Sequence, residues 1–378
     1  MARTRNRMRA IFLYTPHQRI RGSPQPLAPL PFHLRQYMHP FFRNMRHRAT
    51  VILTVLVACA VASLIFSGMI GSIAIPLADL PSALFHVVQG KTDTLAATLL
   101  DLRMGRALTA FVTGAALSLA GVMMQALLRN PLADPYVLGI SAGASVGALA
   151  ALLFMCALWV VDAAAFAGAV GVSMLLYLFA RRDLRGGTAA EGGASLLLLT
   201  GVILASACMA IVTLMLSIAP ESRLRSMVFW MIGDLSGAPA RLMPWLVLGG
   251  AMVFALRCAR SLNVMALHAE AASTLGVRVG ALRKGLFFCS GLLTASAVTS
   301  AGSVGFVGLI VPHALRFACG PDHRLLIPAA ALAGGTFLVL ADTLARTVLA
   351  PLQLPVGVVT AMIGAPVFLY QLHRLRRG

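Results

Sequence analysis

Read along its length, the chain alternates long apolar runs with short polar breaks. A helix rises 1.5 Å per residue, so about 20 apolar residues match the roughly 30 Å hydrocarbon layer of a bilayer. The runs predict ten transmembrane helices, over residues 49–72, 104–127, 137–158, 163–180, 195–218, 242–257, 285–303, 306–318, 325–347 and 355–373. The eighth run is short for a full crossing and reads as a half-helix or a tilted one. Two breaks stand out. Arg129-Asn-Pro-Leu-Ala-Asp-Pro135 leads into the small-residue string Gly139-Ile-Ser-Ala-Gly143, continuing to Gly147. Residues 261–284, SLNVMALHAEAASTLGVRVGALRK, are too polar to span yet amphipathic enough for one or two short helices. They read either as a solvated loop or as a docking surface for a partner.

Composition agrees with the membrane as solvent. The chain is 59% hydrophobic and 11% charged, with a mean hydropathy of +0.85, whereas soluble domains carry about 25% charged residues. The expected fold class is an all-α polytopic membrane protein. With ten spans both termini fall on one side. The loops and tails on that side hold 24 Lys and Arg against seven on the other, so the positive-inside rule puts both termini in the cytoplasm.

The net charge of +19 is concentrated rather than spread. Residues 1–48 hold ten Arg, four His, six Pro and no acid. Such a tail buries too little apolar surface to fold alone, so residues 1–48 are expected to be a disordered cytoplasmic tail and residues 49–378 the membrane domain. An arm for a lipid surface or RNA is the weaker reading of the tail, and no nucleic-acid partner is expected. The six cysteines have no C-x-x-C pair and fit apolar packing inside spans.

Three patterns resemble enzyme sites. Gly139-Ile-Ser-Ala-Gly143 has the spacing of a nucleophile elbow, which needs a strand before it, a helix after it and His and acid partners. Here Ser141 follows a Pro-rich loop, and Gly143-x-x-x-Gly147 reads as close helix packing; an intramembrane serine hydrolase is a remote alternative. Gly90-Lys-Thr92 lacks the first glycine of a phosphate loop. The nine His place no pair at i, i+4 with an acid on a span, so no metal or cofactor is expected. A weak internal echo links Ser118-Leu-Ala-Gly-Val-Met to Thr299-Ser-Ala-Gly-Ser-Val in opposite membrane directions, as in transporters with inverted repeats. Ion-coupled carriers place acids or His inside spans. Here Asp342 is the main intramembrane acid, with Arg346 four residues on along the same helix face.

Several blocks together resemble the FecCD permeases, the membrane subunits of binding-protein-dependent ABC importers for ferric siderophores, haem and vitamin B12. They include Arg106-Ala-Leu-Thr, Gly121-Val-Met-Met-Gln125, the Arg129–Gly143 segment, Ala301-Gly-Ser-Val-Gly-Phe-Val-Gly-Leu-Ile-Val-Pro-His313, Leu340-Ala-Asp-Thr-Leu-Ala-Arg346 and Leu354-Pro-Val-Gly-Val-Val-Thr360. The resemblance covers residues 50–375, in order. It implies a type II ABC importer permease of about ten helices that homodimerises in the bacterial inner membrane. Two cytoplasmic ATPases would lie on one side and a periplasmic substrate-binding protein on the other.

The resemblance also implies roles for particular residues. Leu267, His268, Ala269, Glu270, Leu275 and Gly276 would couple to the ATPase. Arg103, Arg106 and Arg346 would dock the binding protein, against the rival readings of interfacial anchoring and an Asp342–Arg346 pair. Asn130, Leu132 and Ser195 would form a cytoplasmic gate, although the run 185–193, Gly-rich where the family is compact, makes Ser195 the weaker transfer. Thr200, Ser206, Met209 and Thr213, with Met215, would line the path. For cargo the expectation leans to an iron complex, a ferric siderophore or haem, with vitamin B12 as the alternative.

Overall fold

The computed structural model describes residues 32–71, 73–181, 190–236, 241–267 and 269–377. The chain divides into two units, residues 1–48 and 49–378. Among the described residues all regular structure is helical. The helices are α1 (Phe32–Met69), α2 (Leu80–Val88), α3 (Leu95–Leu128), α4 (Ile140–Leu153), α5 (Leu158–Ala180), α6 (Ala190–Ile218), α7 (Glu221–Ile232), α8 (Leu242–Leu267), α9 (Ala269–Thr274), α10 (Val279–Ala301), α11 (Val307–Cys319), α12 (His323–Thr347) and α13 (Val356–Arg377).

Each of the ten expected spans has a helix, but several boundaries moved for physical reasons. α3 starts at Leu95, nine residues before the expected 104, because Thr94 caps it by accepting the Ala97 N–H at 3.2 Å. At 1.5 Å per residue α3 is about 50 Å long, so it outruns the apolar window that hydropathy detects. α4 starts later than expected, after a 3₁₀ turn at Pro135–Leu138. α8 runs on to Leu267, and α10 begins at Val279. α2 and α7 were not expected, since helices of nine and twelve residues outside the long apolar runs give no membrane-length signal. α1 begins at Phe32, within the segment expected to lack regular structure.

α3 is the axis of the membrane domain and is almost entirely buried, packing against α8, α10, α11 and α12. Small residues set this arrangement, because helices in lipid gain by close van der Waals approach rather than by expelling water. A Cβ at Gly121 would overlap the Gly308 carbonyl of α11, and one at Gly114 would overlap the Gly334 carbonyl of α12. The Gly143-x-x-x-Gly147 string of α4 packs in the same way on Gly168 and Ala164 of α5. In each of these places the contact is backbone against backbone.

Candidate transport and partner-contact sites

The break after α3 is built by local hydrogen bonds. Arg129 closes the helix in the left-handed region at φ 50°. Asn130 Oδ1 then accepts the Leu132 N–H at 2.9 Å, and the Asn130 carbonyl accepts the Ala133 N–H at 3.1 Å. Asn130 is half-buried and Leu132 is exposed. Asp134 caps the 3₁₀ turn by accepting the Tyr136 N–H at 2.9 Å. Burial pushes its carboxyl up to about 6, opposed in part by that N–H. Tyr136 Oη accepts the Val304 N–H at 2.9 Å, and the Ser141 hydroxyl donates to Ser303 Oγ at 3.0 Å. The irregular stretch is thus fastened to the α10–α11 connection, and its polar groups are satisfied inside the protein, as buried backbone away from a regular ladder demands. The buried Ser141 hydroxyl is engaged with another serine, an arrangement suited to packing.

On α6 the four expected path residues do not share one face. At 100° per residue, Ser206, Met209 and Thr213 fall within a narrow sector on the exposed side, opposite the buried Leu197. Thr200 lies well outside that sector and is half-buried. Each hydroxyl bonds back along the helix: Thr200 to Leu196 O at 2.8 Å, Ser206 to Val202 O at 2.9 Å and Thr213 to Met209 O at 2.8 Å. This leaves a wall of methyl groups, thioether and saturated hydroxyls, with little capacity to hold a polar ligand tightly. The side chain of Ser195 lies outside the described residues.

The three arginines converge at the opposite end of the bundle. Arg106 grips Asp342 with Nε 3.0 Å from both carboxylate oxygens and Nη2 2.8 Å from Oδ1, while its Nη1 donates to Gln353 Oε1 at 2.8 Å. Arg346 pairs with the same carboxylate through Nε at 3.2 Å. Its Nη2 donates to Ser67 Oγ at 2.7 Å and Ser67 O at 3.2 Å. Arg103 Nη1 donates to Met69 O at 3.2 Å, and its Nη2 donates to Ile73 O. Arg103 and Arg346 therefore satisfy carbonyls at the C-terminal end of α1, which a helix leaves without partners. They are 7% and 5% exposed, and Asp342 is fully buried. In the single chain these guanidiniums hold the bundle together rather than projecting from it.

At the other end, α8 stops at Leu267 and α9 covers Ala269–Thr274. The turn that follows closes through Gly276 N–H to Ser273 O at 3.0 Å and Val277 N–H to Ala272 O at 3.0 Å, with Gly276 at φ +82°. Leu275 is 71% exposed on this turn. His268 lies outside the described residues, as do the side chains of Leu267, Ala269 and Glu270. Among the described residues no group of three His, Cys, Asp or Glu side chains is placed to hold a metal ion.

The sequence reading missed the polar contacts that cross between helices. Gln125 donates through Nε2 to the carbonyls of Gly308 and Leu309, both at 3.3 Å. A glutamine in an otherwise apolar stretch of α3 was the available signal. The Arg106–Asp342 pair had none, because 236 positions separate the partners.

A multi-pass helical bundle with a broken, internally bonded segment, a weakly polar helix face and a short exposed elbow defines a membrane permease subunit. The chain belongs to the FecCD transport family, whose profile matches residues 55–374; it is the permease of an ABC importer and not itself an enzyme. Over 282 residues it is 40% identical to the vitamin B12 import system permease protein BtuC of Escherichia coli O9:H4 (strain HS), covering 73% of this chain and 84% of that one. The same figures hold for the BtuC protein of Shigella boydii serotype 18 (strain CDC 3083-94 / BS512). A solved metal-chelate type ABC transporter in an inward-facing conformation superposes with a TM-score of 0.74 at 29% identity, over 86% of this chain and 99% of that one.

Proposed function

We propose that this permease imports vitamin B12. The observation that carries the reading is the 40% identity to vitamin B12 import permeases over 84% of their length. It reverses the sequence-based lean towards an iron complex. The metal-chelate transporter of similar fold, at 29% identity, keeps a ferric siderophore or haem as the second reading. A path of methyl groups and internally bonded hydroxyls on α6 suits a bulky cargo that is passed along rather than held.

The proposed assembly has two copies of this chain, two cytoplasmic ATP-binding subunits and a periplasmic substrate-binding protein in a bacterial inner membrane, with both termini cytoplasmic. The elbow at Leu267–Gly276 would seat in the ATPase, a role favoured by the exposed Leu275. Asn130, Leu132 and Ser195 would form the cytoplasmic gate, with Ser206, Met209 and Thr213 along the path and Thr200 on another side of α6. Arg103, Arg106 and Arg346 would attract the binding protein through their combined positive field around one carboxylate. Several charges steer and orient docking more than any one exposed pair, which is worth about 0–1 kcal/mol.

The test is ATP-dependent uptake into vesicles that hold the permease, its ATPase and its binding protein, with cyanocobalamin, haem and a ferric siderophore offered separately. Accumulation of cyanocobalamin is expected. Accumulation of an iron complex with no cyanocobalamin would overturn the assignment.

A further inference from the structure

At one membrane face, two adjoining cavities open among the start of α5, the start of α8 and the end of α10. The larger, about 590 Å³, extends to α7 and carries four charged side chains, Asp162, Arg225, Asp234 and Arg241. The smaller, about 270 Å³, is lined by Phe166, Met243, Pro244 and Val247. The Asp162–Arg241 ion pair, at 2.6 Å, borders both. A chamber with charges of both signs thus sits against an apolar slot.

Among the described residues, two of the charges have no counter-charge at ion-pair distance. Arg225 is exposed and lies 5.4 Å from the ring of Phe229, with no carboxylate at ion-pair distance among the described residues. Asp234 accepts from the N–H and hydroxyl of Ser236 and, among the described residues, has no cation at ion-pair distance. The depth is also marked. Trp159 at the start of α5 and Trp245 at the start of α8 are both exposed, and indoles concentrate at the boundary between headgroups and hydrocarbon.

Each simpler occupant leaves part of the site unexplained. A small soluble ion would leave the apolar slot without a purpose. An anionic lipid would face Asp162 and Asp234. A choline headgroup carries no N–H to give to those carboxylates. We propose that the double cavity holds a phosphatidylethanolamine molecule of the surrounding membrane. Its phosphate would face Arg225 and Arg241, its ammonium Asp162 and Asp234, and an acyl chain would lie along Phe166, Met243 and Val247. Because α7 directly follows the path-lining α6, a lipid held here ties that helix to the α5, α8 and α10 scaffold. The inference is independent of the cargo.

The experiment is native mass spectrometry of the full chain, delipidated in detergent and titrated with dioctanoyl phosphatidylethanolamine, phosphatidylglycerol and phosphatidylcholine, and with soluble glycerophosphoethanolamine. One saturable phosphatidylethanolamine per chain is expected, bound about tenfold more tightly than the others, which is the size of one lost charge-assisted hydrogen bond. Arg225→Gln and Asp234→Asn should each weaken that binding by about the same factor. Arg181→Gln, at the other end of α5, should leave it unchanged. Equal binding of all three lipids, indifferent to Arg225→Gln and Asp234→Asn, would reduce the site to ordinary solvating lipid and overturn the proposal. So would tighter phosphatidylglycerol binding that survives Asp234→Asn, or equal binding of the soluble headgroup. Loss of binding-protein association in Arg225→Gln with lipid binding intact would assign the chamber to a protein partner instead.

Discussion

Arg106 and Asp342 meet as a forked ion pair, with both carboxylate oxygens within 3.0 Å of the guanidinium. The carboxylate is fully buried and also neutralises Arg346. Removing it leaves the buried Arg346 and the half-buried Arg106 without a counter-charge, a loss that costs about 3–5 kcal/mol. Asp342→Ala is expected to lower the unfolding free energy of the purified chain in detergent by that amount. Arg106→Lys keeps the charge but loses the fork, so its effect should be intermediate. A change below about 1 kcal/mol for Asp342→Ala, within the range of exposed pairs, would contradict the structural role.

Two glycines that look alike in sequence should respond in opposite ways. A Cβ at Gly121 would overlap the Gly308 carbonyl, whereas one at Gly249 meets nothing within 4 Å. Gly121→Ala must push α3 and α11 apart, and overpacking of this kind typically costs about 1–3 kcal/mol. Gly249→Ala should be neutral or stabilising by up to about 1 kcal/mol, the helix propensity difference. Thermal unfolding of the two variants side by side decides the matter; equal effects would show that the α3–α11 contact is looser than described.

Asp134 gives a pH signature. Its folded pKa of about 6 lies above the ordinary 3.8, so the folded chain holds the proton more tightly than the unfolded chain does. That contribution to stability is full below about pH 4 and is lost as the pH rises to about 6 and beyond, on the order of 3 kcal/mol in all. Asn keeps the cap and cannot ionise. Asp134→Asn should therefore raise the unfolding midpoint at pH 7.5 and not at pH 4, measured on the purified permease. A pH-independent difference between the two proteins would sink the assignment.

Ser141→Ala removes one hydroxyl bond, to Ser303, worth about 1 kcal/mol. Vesicle uptake by the assembled importer should stay close to that of the parent. Abolished uptake with an intact fold would give the serine a role beyond packing.

Much of the fold was legible in the apolar runs. A span must be both long and greasy, so α1, α5, α6 and α12 announce themselves, and Gly143 and Gly147 signal close packing by spacing alone. Hydropathy was blind to the capped start of α3, from Leu95 to Arg103, where Asp101 and Arg103 interrupt the apolar run. It was equally blind to α7, whose first turns are polar. For the candidate sites, residue types were readable and faces were not. Thr200 left the sector of Ser206, Met209 and Thr213 because helical phase, rather than composition, decides which side a hydroxyl takes.

The sequence by itself determined the solvent, the helical class, the family and the placement of the irregular Arg129–Gly143 break, because length, hydropathy and proline act locally. Only the tertiary structure decided which groups the charges touch. The sequence left Arg103 and Arg106 between docking and interfacial anchoring, and Arg346 between docking and a pair with Asp342. Their guanidiniums lie against Asp342, Ser67 and the last carbonyls of α1 because buried cations in a bilayer must find acceptors within the protein, and which acceptors are near depends on helices brought together from distant parts of the chain.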